Sequence, residues 1–444
     1  MRGTGGGRWS RRLVLVSAGA AVLALLAAGA TTAASSGARA SCTKITFWAW
    51  VPGIDRAVKA FNKSHPSICV TLSDVGAGSP EYTKLTQALK AGSGAPDVAE
   101  VEYDELPSFE LTHDVVDLTP YGVNKVKNQF VPWAWKQVSQ GSAVYALPGD
   151  AGPMGLYYNS KLFSKYHVKV PTTWAQFSAE ALALHKAHST VYLSNFSPTD
   201  LQLMMALMAQ AGAWPFTYTG GSKVGIDWTG PKQKAFASFW QKLIDAHAVN
   251  PTTDVSTTQF ANMDRGIDIA WTSSAWWPSY FAPDVKKTMG DWRAAALPQW
   301  KAGQDIAANW GGSSYPVFKQ SKHPKEATEF AIWLNSTTAS WNITKTAPSL
   351  LFPTFKPLLD SPSFRNFTVS VSGKSHPYQV FSAAASKAPI VQWPPFMTEA
   401  LADSATAFAK VMNGKQTLAS AFADFQNTLA SYAKRQGFQV TTGS

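Results

Sequence analysis

The chain has 444 residues, 45% hydrophobic and 15% charged, with a formal net charge of +11, 18 Trp and only 2 Cys. That balance excludes a disordered or fibrous chain, and the length exceeds the ~250–300 residues that one core sustains, so two lobes are expected. Two cysteines exclude a disulfide-rich scaffold and fit no four-ligand zinc pattern.

Residues 1–40 hold Arg2, Arg8, Arg11, Arg12 and Arg39 and no acid, and an apolar stretch spans 13–30. Ala38-Arg39-Ala40 then offers a small-x-small cleavage site. This order reads as a secretory signal peptide cleaved near Ala40; an uncleaved anchor is the alternative. The Arg11-Arg12 pair also fits a twin-arginine export signal, so the Sec and twin-arginine routes both stay open. Loss of the five leader arginines takes the net charge from +11 to +6, and no dense basic run survives. Nucleic-acid binding needs such a run, so it is excluded as the expected function.

Cys42 follows the cut. It can be a lipidated cysteine or the partner of Cys69 in a disulfide. Arg39 stands where a lipidation site carries an aliphatic residue, which speaks against the lipid anchor. An oxidising export compartment and the even cysteine count favour the Cys42–Cys69 bond.

Strands and helices alternate from residue 44 onward. The pattern predicts a strand over 44–48, a helix bearing Ile54, Val58 and Phe61, and a strand over 68–72. Ser79-Pro80 starts a second helix that Gly92 ends, and a short strand covers 97–101. Strands are expected at 144–147 and 154–158, around a break at 148–153. Thr173 and Gln176 are spaced as a capping box. Further strands are expected at 191–193 and 267–271, and a helix at 324–335. Alternating βα order predicts a mostly parallel sheet covered by helices. After about residue 345 the expected strands stop, and 398–436 reads as largely helical.

No phosphate-binding glycine loop and no zincin or hydrolase-elbow motif occurs in the mature chain. His185 and His188 share a helix face, but no acid nearby in sequence completes a metal set, so no metal and no cofactor is expected. Glu100, Glu102, Asp104 and Glu105 could supply a glycosidase carboxylate, although no opposed partner acid is marked. The most informative feature is tryptophan near predicted strand ends: Trp48, Trp50, Trp214, Trp271, Trp276, Trp277, Trp300, Trp310 and Trp393. In parallel α/β sheets ligands bind outside strand carboxyl ends, and aromatic faces suit the C–H faces of sugar rings. Core packing is the competing use of each ring, and it suits Trp240 and Trp333 inside helices better.

Several segments resemble the sugar-binding family of extracellular solute-binding proteins of ABC importers, the family that includes maltose-binding proteins. They are 42–52 (CTKITFWAWVP), 92–98 (GSGAPDV), 145–150 (YALPGD) with 156–159 (LYYN), and 171–177 (PTTWAQF). Residues 268–277 (DIAWTSSAWW), 296–298 (ALP), 310–315 (WGGSSY) and 322–335 continue the resemblance in the same order. It implies an α/β, two-lobed periplasmic-binding-protein-like fold with crossing hinge strands and a helical C-terminal segment. The N-lobe would be 41–149 with 301–345 returning to it, and the C-lobe 150–300 with 346–444 packing on it. A small-molecule carbohydrate would sit in the cleft, and hinge closure would bury it. Asp150 would accept sugar hydroxyls, and Tyr103 and Asp104 would extend from the N-lobe. Trp276 or Trp277 would stack from the C-lobe, with Trp310, Gly311 and Gly312 closing the N-lobe side. Trp48 and Trp393 are further platforms. The expected protein is a monomer that hands its ligand to a membrane permease and breaks no bond. A secreted glycoside hydrolase, or the same fold binding a peptide or polyamine, are the rival readings.

Overall fold

The computed structural model describes residues 41–282 and 284–443. The expected signal peptide and its cleavage site lie outside the described residues.

The opening strand Thr43–Trp48 points Ile45 and Phe47 inward, both fully buried. It pairs in parallel with Ile68–Ser73 on one side and Val98–Ala99 on the other. The intervening helix Asp55–Ser64 buries Ala57, Val58 and Phe61, one apolar stripe at helical spacing. Cys42 and Cys69 form a disulfide, Cα atoms 5.6 Å apart, that joins the start of this βαβ unit.

A second sheet sets Ser313–Pro316 between Val101–Glu102 and Ala146–Pro148, antiparallel to both. A third places Met154–Asn159 between Ala270–Ser274 and Trp292–Ala296, again antiparallel. The mostly parallel sheet expected from element order is therefore confined to the first sheet and to Lys223–Ile226 with Gln439–Thr442. Long connections let strands return in either direction, so alternation alone does not fix polarity.

Other boundaries differ from expectation as well. Residues 191–193 make only the isolated bridge Tyr192–Asp268, because the chain turns there to bond Asn195 to Asn250. The later strand begins at Ala270 rather than at 267. A strand does follow residue 345: Gln439–Thr442, largely exposed and without an apolar pattern. The capping box at Thr173 and Gln176 is formed.

Three segments run side by side where the chain passes between the sheets. Gly149 N–H donates to Ser313 O at 2.9 Å, Trp310 N–H to Gly152 O at 2.8 Å, and Ala151 N–H to Phe352 O at 2.8 Å. The helical tail consists of Met397–Met412 and Leu418–Arg435, separated by a turn at Gly414 with φ +65°. Its Phe408, Phe422 and Phe425 pack around the buried Trp228. Among the described residues no helix is long and apolar enough to cross a membrane.

Candidate functional site

The crossing segments form the base of a continuous cleft. Its central chamber, about 540 Å³, is lined by Tyr103, Asp104 and Trp133 from one side and by Gln202, Trp214 and Trp393 from the other. Gly311 and Gly312 lie on its base and also line a second chamber of about 500 Å³. There Trp50, Trp276 and Tyr280 face Glu100, Glu102 and Asp150. A third, more polar chamber of about 550 Å³ shares Gln137, Val391 and Trp393 with the first and opens past Gln140 and Gly220.

Local structure explains how these side chains arrive. Trp133 is held in the short helix Pro132–Gln137, which proline starts, and its indole N–H donates to Ala385 O at 2.6 Å. Trp214 follows the helix Leu201–Gln210 and donates to Gln392 O at 3.2 Å. It meets Trp393 edge-on, ring centroids 4.7 Å apart at 84°. The two rings make a nearly right-angled corner, and both line the chamber. Gln202 Nε2 donates to Asp104 Oδ2 at 2.8 Å across the cleft. Thr398 Oγ1 donates to Glu105 Oε2 at 2.6 Å beside it. Both bonds tie the 104–105 segment to residues distant in sequence.

The base is built tightly. Asn309 accepts from Gly152 N–H at 2.9 Å and donates to Gly311 O at 2.7 Å. Trp276 Nε1–H donates to Trp310 O at 3.0 Å. A Cβ on Gly152 would stand 1.8 Å from that same carbonyl oxygen. Gly312 has φ +102°, and a Cβ there would meet Asp150 O at 2.9 Å, so glycine is required on both counts.

The carboxyls are unusual. Glu100, Asp104 and Glu105 are at most 4% exposed, and Asp150 is 8% exposed. Among the described residues none of them takes part in an ion pair. Burial pushes Asp150 up to about 6 and Glu105 up to about 8, and it raises Glu100 and Glu102 well above the ordinary range. Each is bonded by a neutral donor: Asp150 by Ser313 N–H at 2.9 Å, Glu100 by Trp50 N–H at 3.1 Å, Glu102 by Tyr82 hydroxyl at 3.1 Å.

Of the residues singled out by sequence, Tyr103, Asp104, Gly311, Gly312 and Trp393 line the central chamber. Asp150 and Trp276 line the second. Trp277 is 1% exposed and packs beneath Trp276 at 4.3 Å and against Trp271 at 4.8 Å, so it supports the platform rather than offering a face. Trp310, 4% exposed, gives the cleft its backbone, and Trp48 lines none of the chambers described. Sequence reasoning passed over Trp133, Gln137, Gln202 and Asn309. The Trp-Ala-Trp run at 133–135 was the one available signal; single amides on helices and turns carry none. His185 stacks on Tyr192 at 4.9 Å, a packing role.

A model of the family described as bacterial extracellular solute-binding protein matches residues 50–340. The chain is similar to an arabinooligosaccharide-binding protein of Bacillus subtilis, 26% identical over 322 residues that cover 70% of this chain and 72% of the relative. A lactose-binding protein of Rhizobium radiobacter is 24% identical, covering 71% and 74%. Among solved structures, an ABC-transporter-associated binding protein from B. animalis subsp. lactis, in complex with β-1,6-galactobiose, superposes with a TM-score of 0.77. It is 30% identical, covering 90% of this chain and all of its own. The galacto-N-biose/lacto-N-biose I-binding protein of Bifidobacterium longum gives 0.78 at 27% identity, covering 90% and 99%. The family model spans well over half of the chain, and this chain belongs to the bacterial extracellular solute-binding protein family.

Proposed function

We propose that the chain captures a sugar or oligosaccharide in this cleft and delivers it to the permease of an ABC transporter, with no bond made or broken. The observation that carries the reading is the Trp214–Trp393 corner set beside the Asp104–Gln202 pair in a connected cleft. Ring faces match the apolar C–H faces of a pyranose, and amide and carboxyl groups match its hydroxyls. The names of the relatives support the same class: arabinooligosaccharide, lactose, galactobiose and lacto-N-biose are their ligands.

In this reading Trp133, Trp214 and Trp393 are the central stacking surfaces, and Asp104, Gln202 and Asn309 order the hydroxyls. Trp50, Trp276 and Asp150 receive a further ring in the second chamber. Residues 41–149 with 301–345 form one lobe, and 150–300 with 346–444 the other. The mature protein starts after cleavage near Ala40, works outside the membrane as a monomer, and is held by its permease only while docked. Commitment of Cys42 to Cys69 argues against a lipid tether at that residue.

The test is titration calorimetry with lactose, galactobiose, and arabino- and malto-oligosaccharides, followed by chromatography of the recovered sugar. Saturable binding of at least one, with the sugar returned unchanged, is expected. Silence across the panel, or product from a bound sugar, overturns the proposal.

A further inference from the structure

Asp104 and Glu105 are consecutive carboxyls, 4% and 2% exposed. Each is bonded to a side chain far away in sequence: Gln202, 98 residues on, and Thr398, 293 residues on. Both donors belong to one body, because the helix Met397–Met412 packs on Leu201–Gln210. Both acceptors hang from the opposite side, beside the strand Val101–Glu102. Opening the cleft therefore separates both bonds and gives both carboxyls to water.

The surroundings are acidic and neutral. Glu105 faces Asp104, whose charge disfavours its ionisation, and Thr398, whose hydroxyl favours it. Glu102 and Tyr82 stand close enough to feel its charge. Among the described residues the ion pairs are Lys59–Asp55, Lys161–Asp291, Arg365–Asp360 and Lys387–Asp305, all elsewhere. A buried carboxylate without a cation is costly, and two adjacent ones more so.

We propose that proton binding at Glu105, assisted by Asp104, latches the cleft closed, so that ligand retention weakens as pH rises. The inference rests on the reading of this cleft as a closing ligand site, and it adds a proton to the closing step. In the closed form burial holds Glu105 near 8, against an ordinary value of 4.5 when water reaches it. A group raised in the closed form favours that form fully below its open-state value. The advantage is lost as pH climbs toward the closed-state value and is gone above it. Between about pH 5 and 8 the closed-to-open ratio falls by up to about tenfold per pH unit for each proton taken up.

The experiment uses the exported chain and its Glu105→Gln variant, which imitates the protonated acid. The radius of gyration by small-angle scattering and the thermal midpoint are followed from pH 5 to 9. The wild type is expected to expand and lose midpoint between pH 5 and 8 and then level off. E105Q stays compact, and its midpoint advantage over wild type grows with pH. A wild-type radius that does not move with pH, or an E105Q that tracks wild type throughout, overturns the latch. If E105Q fails to fold, Thr398→Val, which removes the donor across the cleft, replaces it and is expected to open at lower pH than wild type; unchanged behaviour again overturns the proposal. Because neither readout needs a sugar, a silent saccharide panel sinks the sugar reading and leaves this test standing.

Discussion

Gly152→Ala probes the base of the cleft. The added Cβ would sit 1.8 Å from Trp310 O and 2.5 Å from Trp276 Nε1, both far inside contact distance. The obstacle is backbone, so a rotamer change cannot relieve it. Either crossing segment must shift by roughly an ångström or more, and the bonds Trp310 N–H to Gly152 O and Trp276 Nε1–H to Trp310 O are strained or lost. Two lost hydrogen bonds at about 1 kcal/mol each, with a partly buried indole N–H left unsatisfied, give a destabilisation of about 2–4 kcal/mol. The same shift tilts Trp276 in the second chamber, so affinity for a bound saccharide should drop as well. Urea unfolding followed by Trp fluorescence reads the first effect, and calorimetry on the folded variant reads the second. A variant within about 0.5 kcal/mol of wild type and with full affinity would refute the close approach of the two segments.

Three further outcomes follow from the same geometry. Trp214→Ala should cost about 1–2 kcal/mol of saccharide affinity, roughly five- to thirtyfold. Trp240→Ala, which removes a fully buried ring stacked on Phe196 at 3.9 Å, should instead cost about 3–5 kcal/mol of stability; the opposite pattern would mean that cleft and core are assigned wrongly. Reduction of Cys42–Cys69, separated by 27 residues, should lower unfolding free energy by about 3–4 kcal/mol in denaturant melts with and without reductant, and coincident melts would contradict a formed bond. Glu81 is fully buried with neither carboxyl oxygen hydrogen-bonded, and burial raises it to about 8. Its contribution is complete below its ordinary value of 4.5 and disappears as pH rises through 8, so Glu81→Gln should flatten part of the stability loss between pH 5 and 8; an unchanged slope excludes it.

Much of this architecture was legible because it rests on periodicity and caps. The buried pair Ile45 and Phe47, the stripe through Val58 and Phe61, and the Thr173 box are local patterns that local physics enforces. Strand polarity was not legible. The direction in which Ala270–Ser274 returns beside Met154–Asn159 is decided by packing after a long connection, not by its own residues. Gln439–Thr442 escaped because its side chains are largely exposed, and it exists through backbone pairing with Lys223–Ile226. At the site, the tryptophan pattern pointed to segments that border the cleft, but not to which rings face it. Trp276 and Trp277 are neighbours in sequence, and only the turn after Ser274 decides which one borders the cleft. Gln202 and Asn309 act through single amides brought from distant segments, and no spacing announces them.

The central claim is that this cleft binds a carbohydrate reversibly and closes over it. Titration of the mature protein with the oligosaccharide panel, repeated with Trp393→Ala, tests it most directly. The account predicts saturable binding of at least one saccharide, weakened about tenfold or more by the substitution and with the sugar recovered intact. Binding unaffected by loss of the Trp393 ring, or no binding of any saccharide, would contradict it.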